Sequence, residues 1–245
     1  IRFTGLRSAG LDLDTLPFPS YEKLEGFPSA YKALLFSYPK APSSSCITSR
    51  GCPYACSYCD RSVFGRSFRY NSAEYMYEHV SYLNERFGVK HITFYDDQFT
   101  FKRERIVDFT RMMINRPRKI SFNCVARAEH IDYELLLMLK EAGCWMISLG
   151  IETGDEDLLA RHRQNADLSM RSEKIHLIKK AGIRTKGLFM IGLPGETEEG
   201  IRKSMEYLFS NPIDELNVAK FTPFPGSPIY EKIHEMGEFN ENWEL

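Results

Sequence analysis

The stretch from residue 52 to residue 59 reads Cys52-Pro-Tyr-Ala-Cys56-Ser-Tyr-Cys59, so three thiols lie within eight residues. An odd number of cysteines cannot form a closed set of disulfides, because one thiol is always left over. Three thiolates are also one fewer than the four ligands of a structural zinc site or of an ordinary iron–sulfur cage. A metal centre held by this loop would therefore keep one coordination position open for another ligand.

The spacing C-x-x-x-C-x-x-C, with an aromatic residue before the last cysteine and an acidic residue after it, resembles the signature of the radical S-adenosylmethionine (SAM) enzymes. In that family the three cysteines bind a [4Fe–4S] cluster, and SAM chelates the fourth iron. The reduced cluster cleaves SAM to methionine and a 5′-deoxyadenosyl radical. The resemblance implies that Cys52, Cys56 and Cys59 are the cluster ligands.

Two other metal-binding interpretations stay open for this loop. A zinc knuckle needs a fourth Cys or His, and the nearest downstream histidine is His79, inside a predicted helix. A ferredoxin-type electron carrier expects a fourth cysteine in the motif and a shorter chain. The other cysteines lie in apolar, strand-like stretches and are predicted to be buried small hydrophobes; they are Cys46, Cys124 and Cys144.

Composition narrows the class of protein further. The 245 residues are 43% hydrophobic, which is enough for one large α/β domain with a substantial core. The net charge of −1 gives no overall attraction to nucleic acid, and the basic stretch 102–119 is interrupted by Glu104 and Asp108, as on a solvated helix face. We expect no membrane span, and scattered cysteines favour a reducing, cytoplasmic compartment. Because the chain starts at Ile1, we expect its N-terminus to be internal to a longer protein.

Strand-like and helix-like stretches alternate after a Pro- and aromatic-rich start. Residues 1–44 are expected to be a connector, residues 45–230 the core domain, and residues 231–245 the start of a C-terminal extension. Strands are predicted at 46–49, 91–95, 119–125, 145–150, 184–191 and 215–221. Helices are predicted at 71–87, 101–115, 132–142, 155–163, 169–181 and from Thr197 onward. Six β-then-α units predict a parallel sheet covered by helices.

Several details of the helices follow from capping chemistry. Asn71 is the predicted N-cap of the first helix, with Glu74 completing a capping box and Gly88 ending the helix. Asp132 and Thr197 are the predicted caps of two later helices. Strand order alone does not separate an open doubly wound sheet from a barrel. The resemblance favours an incomplete (β/α)6 parallel barrel of the radical SAM type.

Functional groups of parallel α/β folds lie beyond the C-terminal ends of the strands. At the fourth strand, Ser148-Leu-Gly-Ile-Glu152-Thr-Gly154 resembles a Gly-Ile-Glu-Ser-Gly stretch of the family. The resemblance implies that Glu152 accepts hydrogen bonds from the ribose hydroxyls or the ammonium of SAM; the alternative is a carboxylate at a helix start. At the fifth strand, Gly192-Leu-Pro-Gly-Glu196 resembles a Gly-Leu-Pro-Gly-Glu stretch, where Gly192 would let backbone approach adenine and Glu196 could equally be a cap.

Four further residues are candidates for the same site. Asp97, in the pair Asp96-Asp97, would orient a substrate or cofactor hydroxyl, or belong to an Asx turn. Arg127 would hold a carboxylate in bidentate fashion, or form a structural ion pair. Phe221, or Phe224 in the same Pro-rich stretch, would pack near adenine or close the barrel edge. Tyr58 would shield the cluster and face adenine, or pack in the core.

One position departs from the family pattern. Relatives often carry a lysine where this chain reads Arg163-Gln-Asn165, so that Arg163 is the candidate substitute for a contact to the cofactor carboxylate. The sequence identifies no catalytic residue.

Three segments resemble the cobalamin-binding branch of the family, which includes anaerobic magnesium-protoporphyrin ester cyclases and several methyltransferases. They are Leu13-Asp-Thr-Leu-Pro-Phe-Pro19, Asp96-Asp-Gln-Phe-Thr100 and Cys124-Val-Ala-Arg127. The resemblance implies methyl transfer or ring formation on a small-molecule substrate, a cobalamin domain outside this chain, and an electron donor such as flavodoxin or ferredoxin. Alternatives are methylthiotransferase-like modification of tRNA or protein, and a non-catalytic iron–sulfur carrier.

Overall fold

A computed structural model describes residues 12–32 and 38–237 of the chain. The main sheet has six parallel strands, paired in the order β1-β4-β5-β6-β7-β8. These strands are β1 (Ser43–Cys46), β4 (His91–Phe94), β5 (Ser121–Ala126), β6 (Cys144–Glu152), β7 (Arg184–Ile191) and β8 (Glu215–Lys220). Each strand pairs with the next along the chain, and β1 does not pair with β8, so the barrel stays open. The predicted incomplete (β/α)6 barrel is confirmed.

The helices follow the strands as the alternation predicted. They are α1 (Ala73–Phe87), α2 (Arg103–Ile114), α3 (Tyr133–Ala142), α4 (Glu156–His162), α5 (Leu168–Lys180), α6 (Glu198–Ser210) and the short α7 (Ile233–Met236). Asp132 accepts from the N–H of Leu135 at 2.9 Å, and Thr197 accepts from the N–H of Gly200 at 3.1 Å. Both predicted caps are therefore correct.

The predicted cap of α1 is wrong by one residue. Ser72 is the N-cap and accepts from the N–H of Tyr75 at 3.1 Å, so Asn71 and Glu74 form no capping box. The reason lies in the N-terminal segment: Asp14 accepts from the N–H of Ser72 at 2.9 Å and from the Asn71 side chain at 3.1 Å. The Asp14 carboxylate therefore accepts from the N-cap N–H, which is the bond that a Glu side chain makes in a capping box. Gly88 ends α1 in the left-handed conformation, as expected.

The first strand also differs from its prediction. It ends at Cys46, where the predicted strand begins, because the following residues turn into a short antiparallel pair of β2 (Ser49–Arg50) with β3 (Arg69–Tyr70). The cysteine loop is thus closed at its base by two strands. Gly51, with φ of 84°, allows the tight entry: a Cβ there would lie 2.2 Å from the carbonyl oxygen of Ser67.

The core lies between the sheet and the helices. Four phenylalanines stack there with ring centroids 4.9–6.4 Å apart, and Cys46, Cys124 and Cys144 are buried as expected. On α6, the apolar side chains of Ile201 and Met205 are 41% and 53% exposed. Among the described residues, no helix is both long and apolar enough to cross a membrane.

Part of the predicted connector packs onto the core. Leu13 and Tyr21 are buried, and the ring of Phe18 stacks on His79 of α1 with centroids 4.7 Å apart. The domain boundaries at 44/45 and 230/231 remain predictions, and residues 1–11 and 238–245 of the outer segments lie outside the described part of the chain.

Candidate functional site

A cavity of about 380 Å³ opens at the C-terminal ends of the parallel strands. The cysteine loop after β1, the β4 end, the β5 end and the β6 end all contribute side chains to it. Seven of the predicted site residues line it: Cys52, Cys56, Cys59, Tyr58, Asp97, Arg127 and Glu152. Parallel pairing explains the gathering, because it brings the carboxyl ends of successive strands to one edge of the sheet.

Two predicted site residues do not line this cavity. Gly192 lies beyond the end of β7 with φ of 84°, and a Cβ there would lie 3.9 Å from the Cβ of Phe221. The N–H of Phe221 donates to the carbonyl of Ile191 at 2.7 Å, which continues the β7–β8 pairing. These two residues are therefore neighbours of each other at the sheet end, outside the cavity wall. A contact of either one with adenine stays a prediction.

The three loop cysteines are free and half-buried. Burial raises the pKa of the Cys59 thiol to about 11, with further raising by the Cys56 and Cys52 thiols, and burial also raises the pKa of Cys52. The cause is general: neighbouring thiolates repel one another in a partly desolvated site unless a cationic centre lies between them. A cationic metal centre would therefore favour the thiolate forms of Cys52 and Cys59.

The donor set fits a cluster better than a single ion. Within the described parts of the chain, no group of three His, Cys, Asp or Glu side chains is close enough to hold one metal ion. A cubane differs from a single ion because its ligands sit at separate corners. Three free thiols around one wide cavity match the three cysteine ligands of a [4Fe–4S] cluster with one open iron.

The start of the cysteine loop is fixed by Asp96. This carboxylate is 1% exposed and accepts from the N–H of Thr48 at 2.9 Å, from the Thr48 hydroxyl at 3.0 Å and from the Ser49 hydroxyl. Arg105 of α2 donates to the carbonyl of Thr48 at 3.0 Å. Burial lowers the pKa of Arg105 to about 10, against the opposing effect of Asp96. The two neighbouring acidic residues therefore have different roles. Asp96 positions the loop, and Asp97 lies at the rim of the cavity.

The middle of the loop is fixed by His162, the last residue of α4. Its carbonyl accepts from the N–H of Ser57 at 2.9 Å, and its Nδ1 lies 2.8 Å from the Ser57 hydroxyl. The N–H of Ile229 donates to the carbonyl of Ser57 at 3.0 Å. Sequence reasoning missed Arg105 and His162, because neither residue belongs to a motif and both act across more than 50 positions of the chain.

The Pro-rich stretch after β8 braces the same loop. A Cβ at Gly226 would lie 2.4 Å from Oδ1 of Asp60, so glycine is required for this approach. Phe224 is 52% exposed. This Pro-rich stretch therefore contacts the cysteine loop, and the packing of Phe221 or Phe224 near adenine stays a prediction.

Arg127 forms the structural ion pair that was the alternative to its predicted role, and its binding of a ligand carboxylate stays a prediction. Its Nη2 donates to Glu129 at 2.8 Å and to the carbonyl of Gln164 at 3.0 Å, so it forms a structural ion pair. Its guanidinium also lies 3.7 Å from the ring centroid of Tyr54, and its Nη1 lies 4.0 Å from the sulfur of Cys56. The residue is 3% exposed. A fixed cation therefore stands next to one cysteine ligand.

Glu152 has the most unusual backbone in the site. It is one of two described non-glycine residues with positive φ, at 70°, and the pairing of β6 with β7 shifts by one residue between Gly150 and Glu152. Bulges of this kind change the direction in which a side chain points, and they are common next to functional sites. Asp155 caps α4 by accepting from the N–H groups of Asp157 and Leu158, so Glu152 is not a helix-start carboxylate.

Arg163 is the partner of Glu152. It is 7% exposed, its Nη1 donates to Oε1 of Glu152, and the same nitrogen donates to the carbonyl of Gly150 at 2.9 Å. A Cβ at Gly150 would lie 2.6 Å from Glu152 and 2.7 Å from Arg163, so the glycine makes room for the pair. Burial, opposed by the Arg163 charge and reinforced by Glu152, raises the pKa of the neighbouring Tyr58 far above its usual value. The cavity thus holds a buried, oriented carboxylate beside two arginines.

A chain with this fold and this three-thiol cavity is an iron–sulfur protein of the β/α-barrel type. The family model of the Radical SAM superfamily matches residues 46–208, and the chain belongs to that superfamily. The cofactors of this family are a [4Fe–4S] cluster and SAM, and the site described above fits both.

Relatives and solved structures agree with the assignment. An uncharacterized methyltransferase of Pyrococcus horikoshii is 30% identical over 221 residues, covering 90% of this chain and 47% of that protein. The anaerobic magnesium-protoporphyrin IX monomethyl ester cyclase of Cereibacter sphaeroides is 28% identical, covering 77% of this chain and 32% of that protein. The fold is shared with the cobalamin-bound radical SAM methyltransferase TsrM of Kitasatospora setae, with a TM-score of 0.71 at 19% identity, covering 78% of this chain and 36% of that one. The chain spans about half or less of the length of these proteins.

Proposed function

We propose that this chain is the radical-generating domain of an enzyme that cleaves SAM reductively and uses the product for methyl transfer or ring formation on a small molecule. The observation that carries the proposal is the gathering of Cys52, Cys56, Cys59 and Glu152 around one cavity. When bound, the cluster supplies one electron to the sulfonium of SAM and so breaks a carbon–sulfur bond.

The roles of the chain's own residues follow from their geometry. The three cysteines would hold the cluster, and Tyr58, which lines the same cavity, would shield it from water. Glu152 is oriented by Arg163 to accept hydrogen bonds from hydroxyl or ammonium groups. Arg127 and Arg163 supply positive charge for the SAM carboxylate, although Glu129 and Glu152 already engage them. Asp97, at the rim, is placed to meet the substrate or a cofactor hydroxyl.

The proposal extends to parts outside this chain. Two solved structures of the same fold are described as containing cobalamin, which supports a cobalamin-dependent reaction. The cobalamin would lie on another domain of the full-length protein. A low-potential donor such as flavodoxin or ferredoxin would deliver the electron, and the free cysteines support a reducing, cytoplasmic location.

The test is anaerobic reconstitution with iron and sulfide, followed by incubation with SAM and dithionite. We expect iron and sulfide in a ratio near that of a cubane, together with methionine and 5′-deoxyadenosine. The Cys56→Ala variant should lose both the cluster and the cleavage products while keeping the fold by circular dichroism. Cys144→Ala, which removes a buried thiol outside the loop, is the matched control. Normal 5′-deoxyadenosine from Cys56→Ala would refute the ligand assignment.

The branch of the family is tested on the full-length protein. Added cobalamin and methyl-labelled SAM should give a substrate product whose mass carries the label if the reaction is a methyl transfer. A product that loses hydrogen without gaining the label would indicate ring formation instead.

A further inference from the structure

A second cavity of about 550 Å³ lies behind the cysteine loop. It shares no lining residue with the cavity that the three thiols line. Ser57 lines the second cavity, and its sequence neighbours Cys56 and Tyr58 line the first. We call this second cavity the rear groove; its walls are the end of α4, the turn after β7 and the segment 228–236.

The floor of the rear groove is tightly bonded to the cysteine loop. Both ring nitrogens of His162 are engaged, Nδ1 at 2.8 Å from the Ser57 hydroxyl and Nε2 at 2.8 Å from the carbonyl of Pro194. The carbonyl of Ser57 accepts from the N–H of Ile229 at 3.0 Å. These hydrogen bonds fix Ser57 at the floor of the groove. Since Ser57 follows Cys56 directly, a partner bound in the groove would lie close to the cysteine loop.

The ionisable residues that line the groove are all basic. They are Arg161, His162 and Lys232. Arg161 and Lys232 are exposed, and neither forms an ion pair with any residue in the described ranges, whereas Arg103 and Arg202 each contact two carboxylates. Glu231 and Glu235 belong to the same segment as Lys232 but do not line the groove. Two unpaired cations facing one groove favour an acidic partner.

We propose that the rear groove is the docking site of an acidic electron-transfer protein. This inference rests on the proposed function, since reductive cleavage consumes one electron that must come from outside the chain. The donor protein carries a reduced flavin or iron–sulfur group, loses one electron in the docked complex, and the cluster gains it. Entry from the rear also leaves the mouth of the thiol-lined cavity free for SAM and substrate.

The test compares two charge-reversal variants of the full-length protein with its cluster reconstituted. Arg161→Glu/Lys232→Glu changes the groove. Lys90→Glu/Arg118→Glu makes the same change in net charge with exposed residues that precede β4 and β5, at the opposite end of the barrel. Flavodoxin is the probe; its binding in the oxidised form is measured by fluorescence titration, and cluster reduction by its reduced form is followed by stopped-flow absorbance.

The groove variant should bind flavodoxin at least about tenfold more weakly at low ionic strength and should be reduced correspondingly more slowly. The difference should shrink in about 1 M salt, where the Debye length is about 3 Å. Reduction by dithionite should be unchanged, and the control variant should behave as wild type. Equal flavodoxin binding and reduction in the groove variant and wild type would overturn the inference, as would equal weakening by the control pair.

A different result would refute the proposed function itself. In that case wild type treated with dithionite would form no methionine or 5′-deoxyadenosine from SAM, whatever flavodoxin does. Dithionite-driven cleavage together with flavodoxin binding that ignores Arg161 and Lys232 would leave the function standing and remove the docking site.

Discussion

At the scale of single residues, the site is built on a buried ion pair held at a strained position. Glu152 has φ of 70° at a strand bulge, and its partner Arg163 is almost fully buried. A left-handed non-glycine residue costs of order 1–3 kcal/mol and persists only where the surroundings enforce it. A well-packed pair of hydrophobic side chains would stabilise the fold as much as this ion pair does. Its value lies in presenting an oriented carboxylate to the cavity.

Glu152→Gln tests this role with little disturbance, since glutamine keeps an acceptor for Arg163. We expect SAM to bind about ten- to 150-fold more weakly to the reconstituted protein, because one charge-assisted hydrogen bond contributes about 1.5–3 kcal/mol. Cluster iron should be unchanged. Equilibrium dialysis with SAM and iron analysis measure the two quantities, and Glu198→Gln on the exposed first turn of α6 is the control. Unaltered SAM affinity would limit Glu152 to holding Arg163.

Removal of the same side chain has a separate effect on stability. Glu152→Ala leaves the Arg163 guanidinium buried without its carboxylate, and such a loss costs about 3 kcal/mol in the free energy of unfolding. Urea denaturation of the cluster-free protein checks this value. The double variant Glu152→Ala/Arg163→Met should recover most of the loss, and a double variant as unstable as Glu152→Ala would contradict the explanation.

At the scale of elements, the cysteine loop is held by side chains from parts of the barrel far away in sequence. Asp96 at the end of β4 and Arg105 on α2 fix its start, His162 on α4 fixes its middle, and the segment after β8 packs against Asp60. These contacts join the loop to three other parts of the barrel, since Asp96 and Arg105 both belong to the β4–α2 unit. The barrel therefore supplies the contacts that hold the loop in place.

Asp96→Asn tests this ordering. Asparagine keeps the size of the side chain but replaces one acceptor oxygen by a donor, which faces the donors of Thr48 and Ser49. We expect the free energy of unfolding to fall by about 2–3 kcal/mol and the reconstituted protein to release iron faster to a chelator. Asp108→Asn on the exposed side of α2 is the control. Wild-type stability and iron release in Asp96→Asn would show that the loop orders without this carboxylate.

Local signals predicted most of the elements, and long-range contacts account for what they missed. Asp132, Thr197 and Gly88 act within one turn of their helices, so periodicity and capping identified them. The cap of α1 was misplaced because Asp14, distant in sequence, bonds to the N–H of Ser72.

In the candidate site, too, local motifs identify some residues and only long-range contacts explain the others. The cysteines and Glu152 lie in motifs that could be recognised, and parallel strand order gathers them. The bulge that re-aims Glu152 and the contacts of Asp96 and His162 with the loop depend on neighbouring elements, and no local pattern encodes them. The placement of Gly192 and Phe221 outside the cavity likewise depends on how β7 and β8 continue past their ends.

At the scale of the whole molecule, two histidines couple the fold to pH. His79 of α1 contacts the Tyr21 hydroxyl at 3.0 Å, which joins the N-terminal segment to the barrel. His91, the first residue of β4, has Nδ1 2.9 Å from the Ser121 hydroxyl of β5. Burial lowers the pKa of each ring to about 4, and each has one buried ring nitrogen without a hydrogen-bond partner among the described residues. Both are neutral in the folded protein near neutral pH.

The unfolded chain binds protons at these histidines near pH 6.5, whereas the folded protein does so only near pH 4, so the unfolded state holds more protons between these values. The free energy of unfolding of the cluster-free protein should therefore rise with pH from about 4 to 6.5 and level off above, by at most about 3 kcal/mol for each ring. Urea denaturation at several pH values measures the slope. Burial also lowers the pKa of His130, so His91→Asn should remove only part of the slope, while His176→Asn, at an exposed position on α5, is the control. An unchanged slope in His91→Asn would mean that His91 is already protonated in the fold. A protonated His91 would need a carboxylate near its imidazole ring, and none of the hydrogen bonds or ion pairs of the described residues provides one.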